Sequence, residues 1–247
     1  MSKDRRSFDR AIKRLSAVLA LLIACSPARL AAQVGHAPGA SPFRDLNTRQ
    51  SITVFGGHFS GNVAEAGTGA DAGPILGVRV RTRLSGPIDL MATVARISSE
   101  RMVIDPTQPV GSRLSGPVDM GLVAADLGLL FSLTGSKSWR GFAPYVGAGL
   151  GIVASTDSRV DPGGYRIRTN FTIVPTIGIQ YHVSQRFALQ LEARDNTIRY
   201  EWPRAYFFPV DASNNPLPFV LDPAKLDDRD VTHNRTLSVG LAYHFNF

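Results

Sequence analysis

The C-terminal segment of the chain alternates apolar residues with small or polar residues without a break. Odd positions hold Leu237, Val239, Leu241, Tyr243, Phe245 and Phe247, and even positions hold Ser238, Gly240, Ala242, His244 and Asn246. A period of two places the two sets on opposite faces of a β-strand. A water-soluble sheet would carry the same pattern, so the segment alone predicts a strand and nothing about its solvent.

Seven further segments are similar in composition and length, which makes eight predicted strands. They are 51–60, 74–84, 88–98, 118–133, 142–154, 167–183, 187–196 and 232–247. Each can cross a bilayer as a tilted strand, for which about 9 to 11 residues suffice. After residue 33 there is no run of 18 apolar residues and no sustained helical periodicity, so no transmembrane helix is predicted.

The connections between these strands alternate between two classes of length. The short ones are 85–87, 134–141 and 184–186, and the long ones are 61–73, 99–117, 155–166 and 197–231. Short periplasmic turns and long extracellular loops are typical of outer-membrane barrels, which must also have no free sheet edge. The sequence therefore predicts an all-β fold, a closed antiparallel eight-stranded transmembrane β-barrel over 50–247 with both termini periplasmic. Strand 232–247 would close against strand 51–60.

The first 32 residues have the layout of a signal peptide. A basic segment precedes an apolar run at 15–24, and small residues follow before Gln33. We expect cleavage after Ala32, followed by an irregular periplasmic lead-in at 33–49. An alternative is lipidation of Cys25, because the preceding Leu22, Ile23 and Ala24 resemble a lipobox.

Most of the excess positive charge lies in this N-terminal segment. Residues 1–32 hold seven of the 27 Lys and Arg and two of the 20 Asp and Glu. Residues 33–247 therefore hold 20 basic and 18 acidic residues, a net charge of +2. Nucleic acid is therefore not an expected partner.

Segment 74–84 indicates what fills the barrel. Arg79, Arg81 and Arg83 alternate with apolar residues, and three guanidinium groups facing lipid would be prohibitive, so they should face the lumen. If the turn sets Leu84 opposite Ile88, Arg83 lies opposite Asp89. Other predicted lumen residues are Asp126, Gln180, Glu192 and Arg194. An eight-stranded barrel is only wide enough for side chains, so we expect a filled electrostatic core; a narrow arginine-lined pore is the alternative.

Aromatic residues gather beside the short turns and at the C-terminus, where a membrane interface is expected. They are Trp139, Phe142, Tyr181, Phe187, Phe245 and Phe247.

The segment from Pro144 to Gly151, PYVGAGLG, and the closing segment from Leu241, LAYHFNF, resemble small outer-membrane barrel families related to the transmembrane domain of outer-membrane protein A. The resemblance covers roughly residues 50 to 247. It implies that Tyr243, Phe245 and Phe247 match the signal read by the barrel-assembly machinery. It also implies contact with outer-membrane lipid and lipopolysaccharide. No peptidoglycan-binding domain is expected after Phe247.

Candidate catalytic and metal-binding residues are sparse. His58 and Ser60 have a spacing that resembles lipid A deacylases, with Glu65 as the nearest downstream carboxylate, but two residues of spacing is a weak signal. The five histidines are scattered, so no metal site and no cofactor is predicted. A weak divalent-cation site could be formed by Asp222, Asp227, Asp228 and Asp230, although a solvated loop is the simpler interpretation.

The last loop, 197–231, is unusually aromatic. It contains Tyr200, Trp202, Tyr206, Phe207, Phe208 and Phe219 between five prolines. These residues could pack on the barrel, rest on lipopolysaccharide, or contact an extracellular protein. We therefore predict a non-enzymatic outer-membrane barrel with a structural, adhesive or interaction role. The alternatives are the arginine-lined pore, a lipid A-modifying hydrolase and a soluble periplasmic sandwich or lipocalin-like barrel.

Overall fold

The computed structural model describes residues 41–226 and 230–246. The predicted signal peptide with Cys25, the start of the lead-in, Asp227, Asp228 and Phe247 lie outside these ranges. The strands are β1 (Phe43–Asp45), β2 (Gln50–Ser60), β3 (Gly73–Ser85), β4 (Ile88–Ile104), β5 (Leu114–Ser132), β6 (Lys137–Trp139), β7 (Phe142–Ser155), β8 (Asn170–His182), β9 (Phe187–Tyr200) and β10 (Asp230–Phe245). Two short 3-10 helices, Arg204–Tyr206 and Pro223–Lys225, lie in the last loop. In the described part of the chain, no helix is long and apolar enough to cross a membrane.

Eight strands form a closed ring. The order is β2, β3, β4, β5, β7, β8, β9 and β10, and β10 returns to β2 with Leu241 opposite Val54. Every neighbouring pair in the ring is antiparallel. A closed sheet has no edge of unpaired backbone groups. The predicted closed eight-stranded antiparallel barrel, and the pairing of its last strand with its first, are confirmed.

Two short strands extend the sheet outside the ring. Phe43 of β1 lies opposite Trp139 of β6, and Trp139 lies opposite Phe142 at the start of β7. The prediction of an irregular lead-in over 33–49 is therefore wrong for Phe43–Asp45, and the tight turn 134–141 contains a strand. Three residues are too few to show a period of two, so only their pairing reveals them.

Short and long connections lie at opposite ends of the barrel, because successive antiparallel strands turn at alternate ends. The short-turn end carries 86–87, 133–141 and 183–186, and the long-loop end carries 61–72, 105–113, 156–169 and 201–229. The predicted loop 99–117 is too long, because β4 and β5 continue with Glu100 opposite Asp119. These outward charges interrupt the apolar alternation without ending the strands.

Alternation along β10 separates two environments. Leu237, Val239 and Leu241 point outward and are 52–59% exposed, whereas Ser238 and Ala242 point inward and are buried. The sheet therefore presents an apolar outer face, the reverse of a water-soluble barrel.

A β-bulge sets the register of β3 and β4. Ser85 lies opposite Ile88, and the register shifts between Arg83 and Ser85, so the predicted pairing of Leu84 with Ile88 is wrong. The two-residue turn, with Gly86 at a φ of 49°, leaves Leu84 as the extra residue. Arg83 nevertheless lies opposite Asp89, because the bulge absorbs the offset.

The barrel interior has two layers. The short-turn half holds charged and polar side chains, whereas the long-loop half holds an apolar cluster. Buried members of the apolar cluster include Phe55, Phe59, Ile75, Ile97, Leu122, Ile198 and, from the long loops, Tyr165, Tyr206, Phe207 and Leu221. The long loops thus complete the core that the strands begin.

Candidate functional site

Arg79 lies at the centre of the polar layer, where β3 directs it inward. Its side chain is 2% exposed, and Nη2 lies 2.5 Å from Oε1 of Glu192 on β9. Its guanidinium also lies over the Phe55 ring, 4.4 Å from the ring centroid. A buried cation requires such partners because its desolvation would otherwise be very unfavourable.

A second ion cluster lies nearer the short turns, around Asp89 of β4. Arg81 donates to Asp89 Oδ2 from Nε at 2.7 Å, and Arg83 Nε lies 3.4 Å from Oδ1. Arg81 also donates to the Ser132 hydroxyl at 2.9 Å. Asp89 itself is almost fully buried, so one carboxylate joins three strands of the sheet.

The remaining predicted lumen residues complete this network. Arg194 Nη2 lies 2.5 Å from Asp126 Oδ1, and Arg194 Nε lies 3.5 Å from Glu192 Oε1. All seven charged residues predicted for the lumen therefore point into the barrel. They form two groups of ion pairs, one around Glu192 and one around Asp89.

Neutral side chains also belong to this network, and of these Gln190 was not predicted from the sequence. Tyr145 donates to Glu192 Oε2 at 2.6 Å, and Gln190 donates both to Tyr145 and to Glu192. Gln180, an expected lumen residue, donates to Gln190 at 3.4 Å. Gln190 lies on the inward face of β9, at positions alternating with those of the outward residues, as do Glu192 and Arg194. Strand alternation alone could therefore have predicted it.

The polar layer leaves little free space. A cavity beside Arg81 and Arg83 measures about 20 Å³, roughly the space of one water molecule. The arrangement is a packed electrostatic core, and its arginines are engaged by carboxylates instead of lining an open channel.

Over the apolar layer, the long loops fold into a cap. Trp202 stacks between Tyr200 and Tyr206, with ring centroids 5.8 and 5.9 Å away, and Tyr165 lies 5.0 Å from Trp202. The backbone N–H of Ala70 donates to the Tyr200 hydroxyl at 3.2 Å. We call this group, from loops 61–72, 156–169 and 201–226 together with Tyr200 at the end of β9, the cap.

Of the three alternatives for the aromatic residues of the last loop, the structure shows packing onto the barrel for four of the six. Tyr200, Tyr206 and Phe207 are buried, and Trp202 is partly buried. Packing onto the open end of the barrel removes their apolar surface from water, which stabilises the folded protein. The other two, Phe208 and Phe219, are exposed, at 50 and 57%.

A buried ion pair that was not predicted from the sequence connects the cap to the barrel wall. Arg101 of β4 donates to both carboxylate oxygens of Asp161, at 2.6 and 2.7 Å. Arg101 lies within the segment predicted as a loop, so its inward orientation could not be read from strand parity. Bidentate geometry of this kind is directional and fixes loop 156–169 in place.

Burial also affects the phenols of the cap. Desolvation raises the pKa of Tyr165 and of Tyr206 well above the ordinary tyrosine value, and neighbouring Asp161 acts in the same direction on Tyr206. These groups are therefore neutral packing elements at physiological pH.

The candidate catalytic pair is not assembled into a triad. His58 and Ser60 both lie on the outward face of β2, and within the described ranges no hydrogen bond joins them. Glu65 is engaged elsewhere, since its Oε1 lies 2.6 Å from Lys225 Nζ. A hydroxyl nucleophile needs a base within hydrogen-bond reach, which this arrangement does not provide.

No group of three potential metal ligands occurs among the residues that the structure describes. Asp222 instead caps a 3-10 helix by accepting from Ala224 N at 3.0 Å, and Asp230 accepts from Glu65 N at 2.7 Å.

Aromatic residues form a belt around the short-turn end. Phe142 packs on Tyr181 with centroids 4.8 Å apart, and Phe187 packs on Tyr243 at 5.4 Å. Tyr243 and Phe245, predicted for barrel-assembly recognition, stack at 6.1 Å at the end of β10, whereas Phe247 lies outside the described residues.

Comparison with known proteins agrees with this geometry. Residues 17–245 match the family model described as outer membrane protein beta-barrel domain. Among solved structures, Neisserial surface protein A is similar over 79% of this chain and 97% of its own, with 14% identity and a TM-score of 0.50. Ail, the attachment invasion locus protein of Yersinia pestis, solved with the heparin analogue sucrose octasulfate, matches over 80% and 99% with 14% identity and a TM-score of 0.37. No curated protein sequence matches the chain.

Proposed function

Because the chain belongs to the outer membrane protein beta-barrel domain family and so resides in the bacterial outer membrane, we propose that it is a non-enzymatic barrel that binds partners through its cap. In this proposal the long-loop end faces the cell exterior and both termini face the periplasm, as in other barrels with short and long connections. The observation that carries it is the cap itself, a loop assembly packed into a fixed shape. A binding surface that is already ordered loses little entropy on association.

The exposed apolar residues of the cap form the proposed contact surface. Phe208, Val210 and Phe219 are 50, 39 and 57% exposed, and all lie on one segment of the last loop. Val210 forms an isolated β-bridge with Pro216, so this segment is a hairpin-like projection. Exposed aromatic residues on an ordered support are typical of protein interaction sites.

Buried contacts hold this projection on the barrel. Arg113 donates to the carbonyl oxygens of Pro218 and Phe219 at 3.0 and 3.4 Å, and Leu221 N donates to Tyr206 O at 3.0 Å. The polar layer favours this role over conduction, since the cavity beside Arg81 and Arg83 measures about 20 Å³.

Two further partners belong to the proposal. Outer-membrane lipid and lipopolysaccharide surround the apolar outer face, and the barrel-assembly machinery reads Tyr243, Phe245 and Phe247 during biogenesis. The stacked aromatic pair at the end of β10 supports the second of these.

Orientation is tested by cysteine labelling in intact cells. Cysteines are introduced at Ser213, in the last loop, and at Ser184, in a short turn, with the parent chain as control. A membrane-impermeant maleimide should label only the Ser213→Cys variant. Labelling of Ser184→Cys alone would place the cap in the periplasm.

The contact surface is tested by photo-crosslinking in intact cells. A benzophenone amino acid at Phe208 or Phe219 should give protein adducts. The same amino acid at Tyr181, in the aromatic belt at the short-turn end, serves as a lipid-facing control. Adducts that are identical at all three positions would contradict a partner at the cap.

A further inference from the structure

The outer face of the barrel changes from apolar to polar at one level on β9, β10 and β2. In one row of outward residues, Ala193 and His58 lie on either side of Leu237. In the next outward row towards the long loops, Asp195 and Ser60 lie on either side of Arg235. All these side chains belong to the outward set of their strands. Such a change marks where hydrocarbon gives way to lipid headgroups.

A recess of about 530 Å³ lies across this level. Its lining includes the apolar residues Pro175, Ile177, Ala193 and Leu237, together with the polar residues His58, Ser60, Asp195 and Arg235. The small side chain of Ala193 accounts for part of the hollow, since its outward neighbours on β8 and β10 are Ile177 and Leu237.

The recess lies where β8 and β9 separate. Their regular pairing begins at Thr176 opposite Arg194, and beyond it Thr197 Oγ1 accepts from Ile173 N at 3.0 Å and donates to Ile173 O at 3.2 Å. At this point a threonine side chain takes the place of the backbone hydrogen bonds between the two strands. Pro175 also has no N–H with which to pair. The hollow is consequently built into the sheet and does not depend on a loop.

The polar end of the recess carries one carboxylate, Asp195, and one exposed cation, Arg235. Asp195 Oδ2 lies 2.7 Å from His233 Nδ1, and Arg235, although opposite Asp195 in the sheet, forms no ion pair with any described residue. Arg235 is exposed, and His58 lies on the neighbouring strand. A guanidinium next to lipid headgroups is well suited to a phosphate.

We propose that this recess is a binding site for a phosphorylated acyl glycolipid of the lipid A type. Arg235 holds the phosphate, and an acyl chain lies against Ile177, Ala193 and Leu237. The choice of lipid A rests on the proposed function, which directs the long-loop end, and with it this recess, to the outer leaflet. The site needs no other protein and differs from the cap surface.

Native mass spectrometry of the refolded full-length barrel in detergent tests the site. Lipid A, dephosphorylated lipid A and phosphatidylglycerol are titrated separately, and we expect lipid A to bind most tightly. Arg235→Gln should weaken lipid A binding on the order of tenfold, because a charged hydrogen-bond partner is lost. Arg96→Gln is the matched control, since Arg96 is another exposed outward arginine and lies on β4 outside the recess.

A second variant, Ala193→Phe, fills the apolar part and should reduce lipid A binding while the unboiled protein keeps its folded mobility on SDS gels. Equal losses for Arg235→Gln and Arg96→Gln, unchanged binding by Ala193→Phe, or equal binding of dephosphorylated lipid A would each overturn the proposal. Tighter binding of phosphatidylglycerol would overturn the choice of lipid A. Because the assay uses purified protein, its result is independent of orientation in the cell and of any cap partner.

Discussion

At the scale of single residues, the polar layer shows how charge is accommodated inside a narrow barrel. Arg79 and Glu192 are both almost fully buried, and Tyr145 and Arg194 supply further contacts to the same carboxylate. Removing one member of a buried pair leaves the other without compensation, which is far more costly than loss of an exposed pair. Parity along the strands predicted the charged members, whereas the pairing between strands that are distant in sequence came only from the structure.

Glu192→Gln should lower the free energy of unfolding by roughly 3 kcal/mol, because Arg79 is then buried without a full counter-charge. Urea unfolding of the refolded protein in lipid vesicles measures this difference. Glu65→Gln, which removes a half-exposed pair with Lys225, should cost less than about 1 kcal/mol. Equal effects of the two substitutions would contradict the assignment of a buried network.

Gly178→Ala should destabilise the barrel by about 1 to 3 kcal/mol, because a Cβ atom there would lie 2.3 Å from the Tyr145 hydroxyl oxygen. Gly56→Ala is the control, since its Cβ would meet nothing closer than 3.7 Å. The same unfolding measurement applies, and a harmless Gly178→Ala would show that Tyr145 can move away from β8.

At the scale of elements, the strands were predicted better than the loops. Existence, number and closure of the eight strands follow from alternation and from connection length. The extension of β4 to Ile104, the bulge at Leu84 and strand β1 do not, because each depends on pairing with a distant partner. The cap is the largest difference, since aromatic composition alone could not separate packing onto the barrel from exposure.

Asp161→Asn should loosen the cap, because Arg101 then loses its bidentate carboxylate partner. Limited proteolysis should cleave loop 156–169 faster in this variant, while strand content by circular dichroism stays constant. Asp157→Asn is the control, as Asp157 pairs with the largely exposed Arg159. If both variants are cleaved at the parent rate, the ion pair does not anchor the cap.

Alkaline pH should open the cap before it unfolds the barrel. The pKa of Tyr165 and of Tyr206 is raised by burial, so above about pH 10 the undocked phenols ionise while the docked ones remain protonated. Cap stability is therefore constant below that pH and falls above it. Absorbance at 295 nm should report a delayed phenol titration that disappears in the Tyr165→Phe, Tyr206→Phe double variant.

At the scale of the whole molecule, an apolar exterior and a filled interior coexist in one closed sheet. The outward residues of β10 are more than half exposed from Leu237 to Leu241, and the four inward arginines predicted for the lumen form ion pairs with three inward carboxylates. This arrangement, with apolar residues outside and charged residues inside, is the reverse of that in a soluble protein. It was predictable from the three arginines of β3. The division of the interior into a polar and an apolar layer was not, because it depends on how deeply the loops enter.

The refolded protein should migrate differently with and without boiling on SDS gels, because the closed sheet resists detergent. Planar bilayers containing it should show no steady single-channel steps, since the interior cavity beside Arg81 holds about 20 Å³. Steps that vanish in Arg81→Ala would instead identify a conducting path through the polar layer.

The pairing of β10 with β2 has a consequence for biogenesis. Tyr243 lies opposite Ile52, so the ring closes between residues from the two extremes of the barrel sequence. Contacts of such large sequence separation form late, after the entropy of closing the intervening chain has been lost. Until that pairing forms, β2 and β10 each keep a free edge of unpaired backbone groups, so an unclosed sheet of this sequence is the folding intermediate most exposed to aggregation.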